Sequence, residues 1–410
     1  MELRLSDKAR AVSPSPTLAI DSKFKAMKKQ GIPVVGFGAG EPDFNTPDNI
    51  KMAGINAIEN NITKYTPASG TPELKQAICD KVKRDTGLEY SPANVVVSNG
   101  GKHSLTNTFL SICNPGDEVI IPAPYWVSYP EMVKLADAVP VYIKTTEETN
   151  FKFTMEQLTD AITPRTRAIV LNTPSNPTGM IYTKEELEQI AKIAVENEIY
   201  VVFDEIYEKL VYEGEHINIA TLGDEIRDLT IIVNGMAKTY AMTGWRIGYA
   251  VANEKIAKAM ANIQSHATSN PNSIAQAAAV EALNGDQSFI DDMKKTYMER
   301  RDYMVDRINK MEGMSCSNPN GAFYIFVNVK EQLKKEHYGK MINTAQELCN
   351  DILDRALVAL VPSEGFGVKG YVRLSYATSM EVIKTGLDRI EEYLSGKCTE
   401  VKYTDNSLEG

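Results

Sequence analysis

The sequence predicts an α/β fold: a large domain with a mostly parallel sheet between helices, and a smaller α+β domain beside it. Three observations carry that expectation. Short runs of consecutive apolar residues alternate with helix-period segments over roughly residues 50–290. Strands that are apolar on both faces belong to parallel sheets covered on both sides. At 410 residues the chain is longer than one ordinary core holds, so two domains are expected.

The strand-like runs are NVVVSN (94–99), EVIIPAP (118–124), RAIVLNTP (167–174), IYVVFDE (199–205) and LTIIVNG (229–235). After the third comes TKEELEQIAKIAVENE, where Thr183 and Glu186 form a capping box and Leu187, Ile190, Ala191 and Ala194 make an apolar stripe. Residues 1–48 are loop-rich, with prolines at 14, 16, 33, 42 and 47. From about residue 300 the texture changes to a long charged helix, GAFYIFVNV, a second helix, ALVALVPS and YVRLSYA. The expected division is therefore 49–300 for the large domain and 1–48 with 301–410 for a small domain built from both termini. The tail SGKCTEVKYTDNSLEG is polar and is expected to fray.

A hydrophobic share of 43% with 24% charged residues reads as globular. The net charge of -10 argues against a nucleic-acid partner, which calls for an excess of Lys and Arg. Five scattered cysteines and four separated histidines argue against a disulfide framework and a metal centre. The first twenty residues lack the apolar core of a signal peptide, and no run approaches the roughly 20 apolar residues of a membrane span. The expectation is a cytoplasmic protein with no membrane contact.

In open α/β sheets, ligands collect at the carboxyl ends of strands. Four such ends carry notable residues here. VVVSNGGKHS puts Gly100 and Gly101 at a helix start, where free N–H groups and the helix dipole favour a phosphate. IVLNTPSNPTG places Asn176 between a strand and a helix, YVVFDE leads to Asp204, and IIVNGMAK leads to Lys238. Each alone has a plainer reading: a turn, an N-cap, a surface lysine. Together they have a chemical logic. An aldehyde cofactor with a phosphate and a pyridine nitrogen needs an amine to form a Schiff base and a carboxylate to keep the ring nitrogen protonated. It also needs glycine amides and an arginine for the phosphate, and an aromatic ring to stack on the pyridine.

The motifs GEPDFNTP (40–47), KYTPASGTPEL, SNGGKHSL, PGDEVIIPAPYWVSYPEM, NTPSNPTG, DEIYEKLVYEGE, NGMAKTYAMTGWRIGY, GAFYIF and VRLSYA (372–377) stand in this order along most of the chain. The set resembles the class I pyridoxal-phosphate-dependent aminotransferases, in particular the bacterial aspartate aminotransferase subgroup with GGK and MTGWRIGY. The resemblance implies the fold-type I architecture of these transferases and a homodimer with shared active sites. It also implies pyridoxal 5'-phosphate as cofactor, and a ping-pong exchange with amino-acid and 2-oxo-acid substrates, aspartate and 2-oxoglutarate first among them. By the same resemblance Lys238 is the Schiff-base lysine that later moves the proton at the substrate Cα, and Asp204 is the partner of the pyridine nitrogen. Tyr207 and Asn176 donate to the phenolate oxygen, and Trp126 stacks on the ring. Gly101 and Lys102 give backbone amides to the phosphate, Arg246 pairs with it, and Tyr65 reaches the phosphate of the other subunit. Arg373 grips the substrate α-carboxylate with the Gly40 backbone nearby, and Pro124 and Pro177 match positions that are often cis.

The chain departs from the family where many members place a phosphate-binding serine before the lysine, since Gly235 and Ala237 stand there. Arg246 and the helix start are expected to suffice. The segment ANIQSHATSNPNS also lacks the arginine that some members use for a distal carboxylate. In the GGK subgroup the lysine after the glycines, here Lys102, takes that role. GFGAGE (36–41) imitates a dinucleotide loop but lacks the third glycine and a following helix, so a dehydrogenase is disfavoured. Three alternatives stay open: a different amino donor (aromatic, prephenate or alanine), a lyase on the same fold, and a cofactor-binding regulator. The last is disfavoured by the acidic charge and the lack of a preceding helix-turn-helix segment.

Overall fold

The computed structural model describes residues 4–13 and 16–398. A short strand, β1 (Val35–Gly36), precedes the seven strands of the main sheet. These are β2 (Val95–Ser98), β3 (Glu118–Ala123), β4 (Val139–Lys144), β5 (Thr166–Asn172), β6 (Tyr200–Asp204), β7 (Thr230–Gly235) and β8 (Gly248–Val251). Their order across the sheet is β2-β8-β7-β6-β5-β3-β4. Only β8 runs against its neighbours, β7 and β2; all other pairs in this sheet are parallel. β2 therefore runs the same way as β7, and the carboxyl ends of β2, β5, β6 and β7 meet at one edge.

Each of the five apolar runs forms a strand, and the sheet is mostly parallel as expected. Two strands had no such signal. β4 is an edge strand with exposed Val139 and Tyr142, so only part of it is buried and no apolar run marks it. β8 is four residues long and opens on a glycine. In the middle of the sheet Val201, Val202, Phe203, Ile231, Ile232 and Val233 are out of water on both faces. Each such side chain contributes roughly 1.5–3 kcal/mol of burial free energy. The helix Lys184–Glu196 covers one face, with the Thr183–Glu186 capping box formed and Leu187, Ile190, Ala191 and Ala194 buried.

The rest of the chain builds β9 (Tyr324–Asn328), a hairpin of β10 (Lys335–His337) and β11 (Lys340–Ile342), then β12 (Val358–Ala359), β13 (Val361–Pro362) and β14 (Tyr371–Ser375). β13, β14 and β9 form an antiparallel sheet, and β1 pairs in parallel with β12. The charged helix spans Phe289–Ile308 and so crosses residue 300. Its Met293, Tyr297 and Met304 share one core with Ile20, Met27 and Phe37 near the N-terminus and Leu374 on β14. The polar tail beyond 398 lies outside the described residues.

Candidate active site

The edge where the four strand ends meet opens into a cavity of about 660 Å³. Gly40, Gly101, Lys102, Trp126, Asn176, Asp204, Tyr207, Lys238, Arg246 and Arg373 all line it. These are the residues singled out in the sequence, with one exception. Tyr65 is 93% exposed and is not among the lining residues.

Asp204 comes from the end of β6, the central strand, where Asn172 of β5 and Val233 of β7 flank it in register. Its side chain is buried and accepts hydrogen bonds from the Tyr129 hydroxyl (2.6 Å) and the Ile206 N–H (3.2 Å). Burial pushes its pKa up to about 6 against the pull of these donors. Tyr129 was not assigned a role from sequence. The only signal was its place three residues after Trp126, whose ring it meets edge to face at 5.3 Å.

Lys238 follows β7. Its amine donates to the Gly40 carbonyl and lies 5.9 Å from the Tyr207 ring and 5.7 Å from the Phe323 ring. Its pKa falls to about 8, first because the amine is desolvated; Glu41 opposes the fall, and Arg373 and Arg246 add to it. The Tyr207 hydroxyl meets that of Tyr324 at 3.0 Å, and burial holds its pKa well above the ordinary phenol range.

Arg373, on β14, is buried, and burial lowers its pKa. It donates to Asn176 Oδ1 (3.1 Å) and the Gly38 carbonyl (3.0 Å), and its guanidinium lies over Tyr324 at 4.4 Å and Phe366 at 5.3 Å. Its Nε has no partner among the described residues. A buried cation held by neutral acceptors, with one donor unpartnered, suits a carboxylate. Asn176 is aimed by its own N–H, which donates to Asn172 Oδ1 at 2.7 Å.

The helix Gly101–Ile112 starts at the same edge, with Gly100 at its N-cap in the left-handed region (φ 87°). A Cβ on Gly100 would run into the Arg246 guanidinium, so glycine lets that cation lie against the helix start. Arg246 donates to the carbonyls of Thr243 (2.9 Å) and Asn99 (3.4 Å), and no carboxylate pairs with it among the described residues. Free N–H groups beside an arginine make a site for a phosphate. Lys102, one residue into the helix, holds its amine 5.0 Å over the Trp126 ring, and burial and then Arg246 lower its pKa. The peptide bonds before Pro124 and Pro177 are cis, as is the one before Pro174. The glycines of GFGAGE lead into no helix; Gly38 and Gly40 instead offer their carbonyls to Arg373 and Lys238.

The cavity thus joins a desolvated amine, a buried carboxylate, a helix start and a guanidinium with an unpartnered donor. The chain belongs to the class I and II aminotransferases, whose family pattern it matches over residues 32–390. It is 49% identical over 395 residues to an aspartate aminotransferase of Bacillus sp. (strain YM-2), covering 96% of this chain and all of that one. It is 46% identical over 397 residues to an aspartate/prephenate aminotransferase of Nitrosomonas europaea, covering 96% of this chain and all of that one. Among solved structures, the aspartate aminotransferase from Rhizobium meliloti superposes with a TM-score of 0.93 at 41% identity, over 97% of this chain and all of that one.

The low pKa of Lys238 gives a direct test on the protein alone. Only a neutral amine attacks an aldehyde, and its share grows as pH rises through the pKa. Reductive methylation with formaldehyde at graded pH, read by peptide mapping, should modify Lys238 with a midpoint near 8. A midpoint near 10.5, the ordinary lysine value, would show that the amine is not desolvated.

Proposed function

We propose that this chain is an aspartate aminotransferase that moves the amino group of L-aspartate to 2-oxoglutarate, giving oxaloacetate and L-glutamate, with pyridoxal 5'-phosphate as cofactor. The observation that carries this reading is the charge of the cavity. Lys102, Lys238, Arg246 and Arg373 line it with Glu41 and Asp204, in a chain of net charge -10. Such a site takes a phosphate and a dicarboxylate together. The aspartate aminotransferases among its relatives support the same reaction.

When bound, the cofactor supplies an aldehyde that takes up the amino group and a ring that draws electrons from the substrate Cα. The chain's own residues do the rest. Lys238 holds the aldehyde carbon and moves the proton at the substrate Cα, for which a pKa near 8 suits it. Asp204 keeps a proton on the ring nitrogen. Tyr207 and Asn176 donate to the phenolate oxygen, and Trp126 covers the ring. The amides of Gly101 and Lys102, with Arg246, hold the phosphate. Arg373 and the Gly40 backbone receive the α-carboxylate, and the Lys102 side chain reaches the distal one.

The same reading makes the protein a homodimer. Met52, Ile55, Ile58 and Ile62 are exposed on and just after the helix Asp48–Glu59, next to Tyr65. An exposed stripe of that kind supports an interface there, and the proposed role of Tyr65 is to reach the phosphate in the partner subunit. We also read 49–300 as one domain and 1–48 with 301–410 as the other. The β1–β12 pairing and the core shared by both ends support this, with the helix Phe289–Ile308 bridging the boundary. A reducing cytoplasm is the compartment we propose; all five cysteines are free thiols.

Three outcomes follow. Asp204→Asn should bind pyridoxal phosphate more weakly and lose roughly 10²-fold or more in kcat, because a neutral amide cannot hold a charged ring nitrogen in the transition state. Near-normal turnover would reduce Asp204 to a loop-capping role.

In mixed dimers, Tyr65→Ala and Lys238→Ala chains should recover activity, since one of the two sites is then whole. Verified heterodimers with no recovery would make each site self-contained.

A panel of amino donors tests the substrate. A charge-assisted contact from Lys102 is worth about 1.5–3 kcal/mol. Lys102→Ala should therefore lose roughly 10- to 150-fold in kcat/KM toward aspartate and glutamate, and little toward alanine or phenylalanine. Equal losses for all four would assign the side chain to cofactor binding, and a wild-type preference for an uncharged donor or for prephenate would overturn the aspartate reading.

A further inference from the structure

Behind the active site lies a second cluster of charge that the proposed reaction does not use. Asp204 and Glu205 are consecutive at the end of β6, and their side chains go to opposite sides of the sheet, as the period of a strand requires. Asp204 lines the cavity. Glu205 is equally buried, and its carboxylate accepts from His216 Nε2 (2.9 Å) and Asn218 Nδ2 (2.9 Å) on a following loop. It also accepts from Asn234 Nδ2 of β7 (3.4 Å). Beyond it the buried Lys81 amine pairs with Glu208 and with Asp85 (3.3 Å), and Lys209 pairs with Asp85 (2.9 Å).

Glu205, Glu208 and His216 place ligand atoms within 4.8 Å of one another, the spacing of a metal site. Lys81 already supplies the cation there. Burial works against its charge, but Glu208, Tyr249, Glu205 and Asp85 together hold its pKa well above the ordinary range. Glu205 is likewise ionised. Burial raises its pKa, and His216, Lys81 and Asn218 outweigh that and bring it below the usual value. The chain thus spends two adjacent positions on buried carboxylates, one facing the cavity and one facing away.

We infer that Glu205 is a positioning residue that acts through Asp204: its fixed negative charge, one residue behind, makes the Asp204 carboxylate a stronger partner for a protonated ring nitrogen. The inference rests on the cofactor reading above. The backbone carries the two carboxylates on one rigid unit, because the Glu205 N–H is tied to the Val233 carbonyl at 3.0 Å and the Asp204 carbonyl accepts from Thr173 at 3.1 Å. A second anion in so dry a setting disfavours the lone negative charge on Asp204, and Glu205 is among the influences that raise its pKa. A cation at Asp204 relieves that repulsion. Glu205 does not line the cavity, so its influence on a bound ligand runs through Asp204.

The test compares two probes on cofactor-free protein: pyridoxal phosphate, and the analogue in which CH replaces the ring nitrogen. Glu205→Gln keeps one oxygen for His216 and Asn218, gives up the contact from Asn234, and leaves Lys81 with Glu208 and Asp85. It should lower the affinity for pyridoxal phosphate by roughly 3- to 20-fold, where one pKa unit corresponds to tenfold, and change that for the carbon analogue less than about twofold. Thermal unfolding of the same samples checks that the fold is kept, and Glu205→Met, also neutral, serves if the glutamine variant does not accumulate. Equal losses for both probes, or none for either, would overturn the role of Glu205 and leave it a structural residue. A wild-type protein that binds no pyridoxal phosphate overturns the cofactor reading, and one that binds both probes equally overturns Asp204 as the ring-nitrogen partner.

Discussion

Asp204 occupies a position that costs an ionised carboxylate a great deal: the end of the central strand in a sheet covered on both faces, out of water. Two donors, the Tyr129 hydroxyl and the Ile206 amide, offset part of that cost, yet its pKa still stands near 6. The position follows from topology. A mostly parallel sheet brings the ends of β2, β5, β6 and β7 to one edge, and the strand order sets β6 between the ends that carry Asn172 and Lys238. The other groups take their places relative to this carboxylate. Tyr129 must reach it, Trp126 lies against Tyr129, and Lys102 lies over Trp126.

The cations around it are under a matching strain. Lys238 and Lys102 are both held below the ordinary lysine pKa, each first by desolvation, then Lys238 by Arg373 and Arg246 and Lys102 by Arg246. Arg373 is lowered by burial alone. Like charges brought together in a dry site repel, and anions that enter the cavity remove that repulsion. Binding and protonation are thus linked. An anion near Lys102 or Arg373 favours their charged forms, while a neutral Lys238 amine remains accessible just above neutral pH.

The sheet was legible because its inner strands are apolar at consecutive positions, and the Thr183 helix because its cap and stripe agree. β4 and β8 were not, for opposite reasons: one is too exposed to show a run and the other too short. The cavity residues were legible through motifs rather than physics. No periodicity distinguishes Lys238 from a surface lysine, and Arg373 sits in a strand whose burial shows only after β9 and β13 pair with it. Tyr129 and Tyr324 escaped assignment because their partners, Asp204 and Tyr207, lie 75 and 117 residues away in the chain. Glu205 looked like one more charged residue after a strand; its burial depends on α-helical Lys81 and on a loop, neither adjacent in sequence.

At position 235 the missing serine has a steric basis in the same packing. A Cβ on Gly235 would come within 2.9 Å of the Gly248 Cα and the Ile247 carbonyl oxygen, so β7 and β8 lie too close there for any side chain. Gly248 in turn abuts the backbone of Gly100 and Gly101, where a Cβ would overlap the Gly101 nitrogen. Three backbone segments therefore meet without side chains between them, and the helix Gly101–Ile112 is pressed directly onto the end of β8. That contact fixes where its first N–H groups point. It also leaves room beside Gly100 for the guanidinium of Arg246, whose own backbone is left-handed at φ 56°. In this chain the helix start is shaped by glycine packing and one arginine. A hydroxyl at 235 would have to displace β8, and with it the helix start that the hydroxyl would be meant to assist.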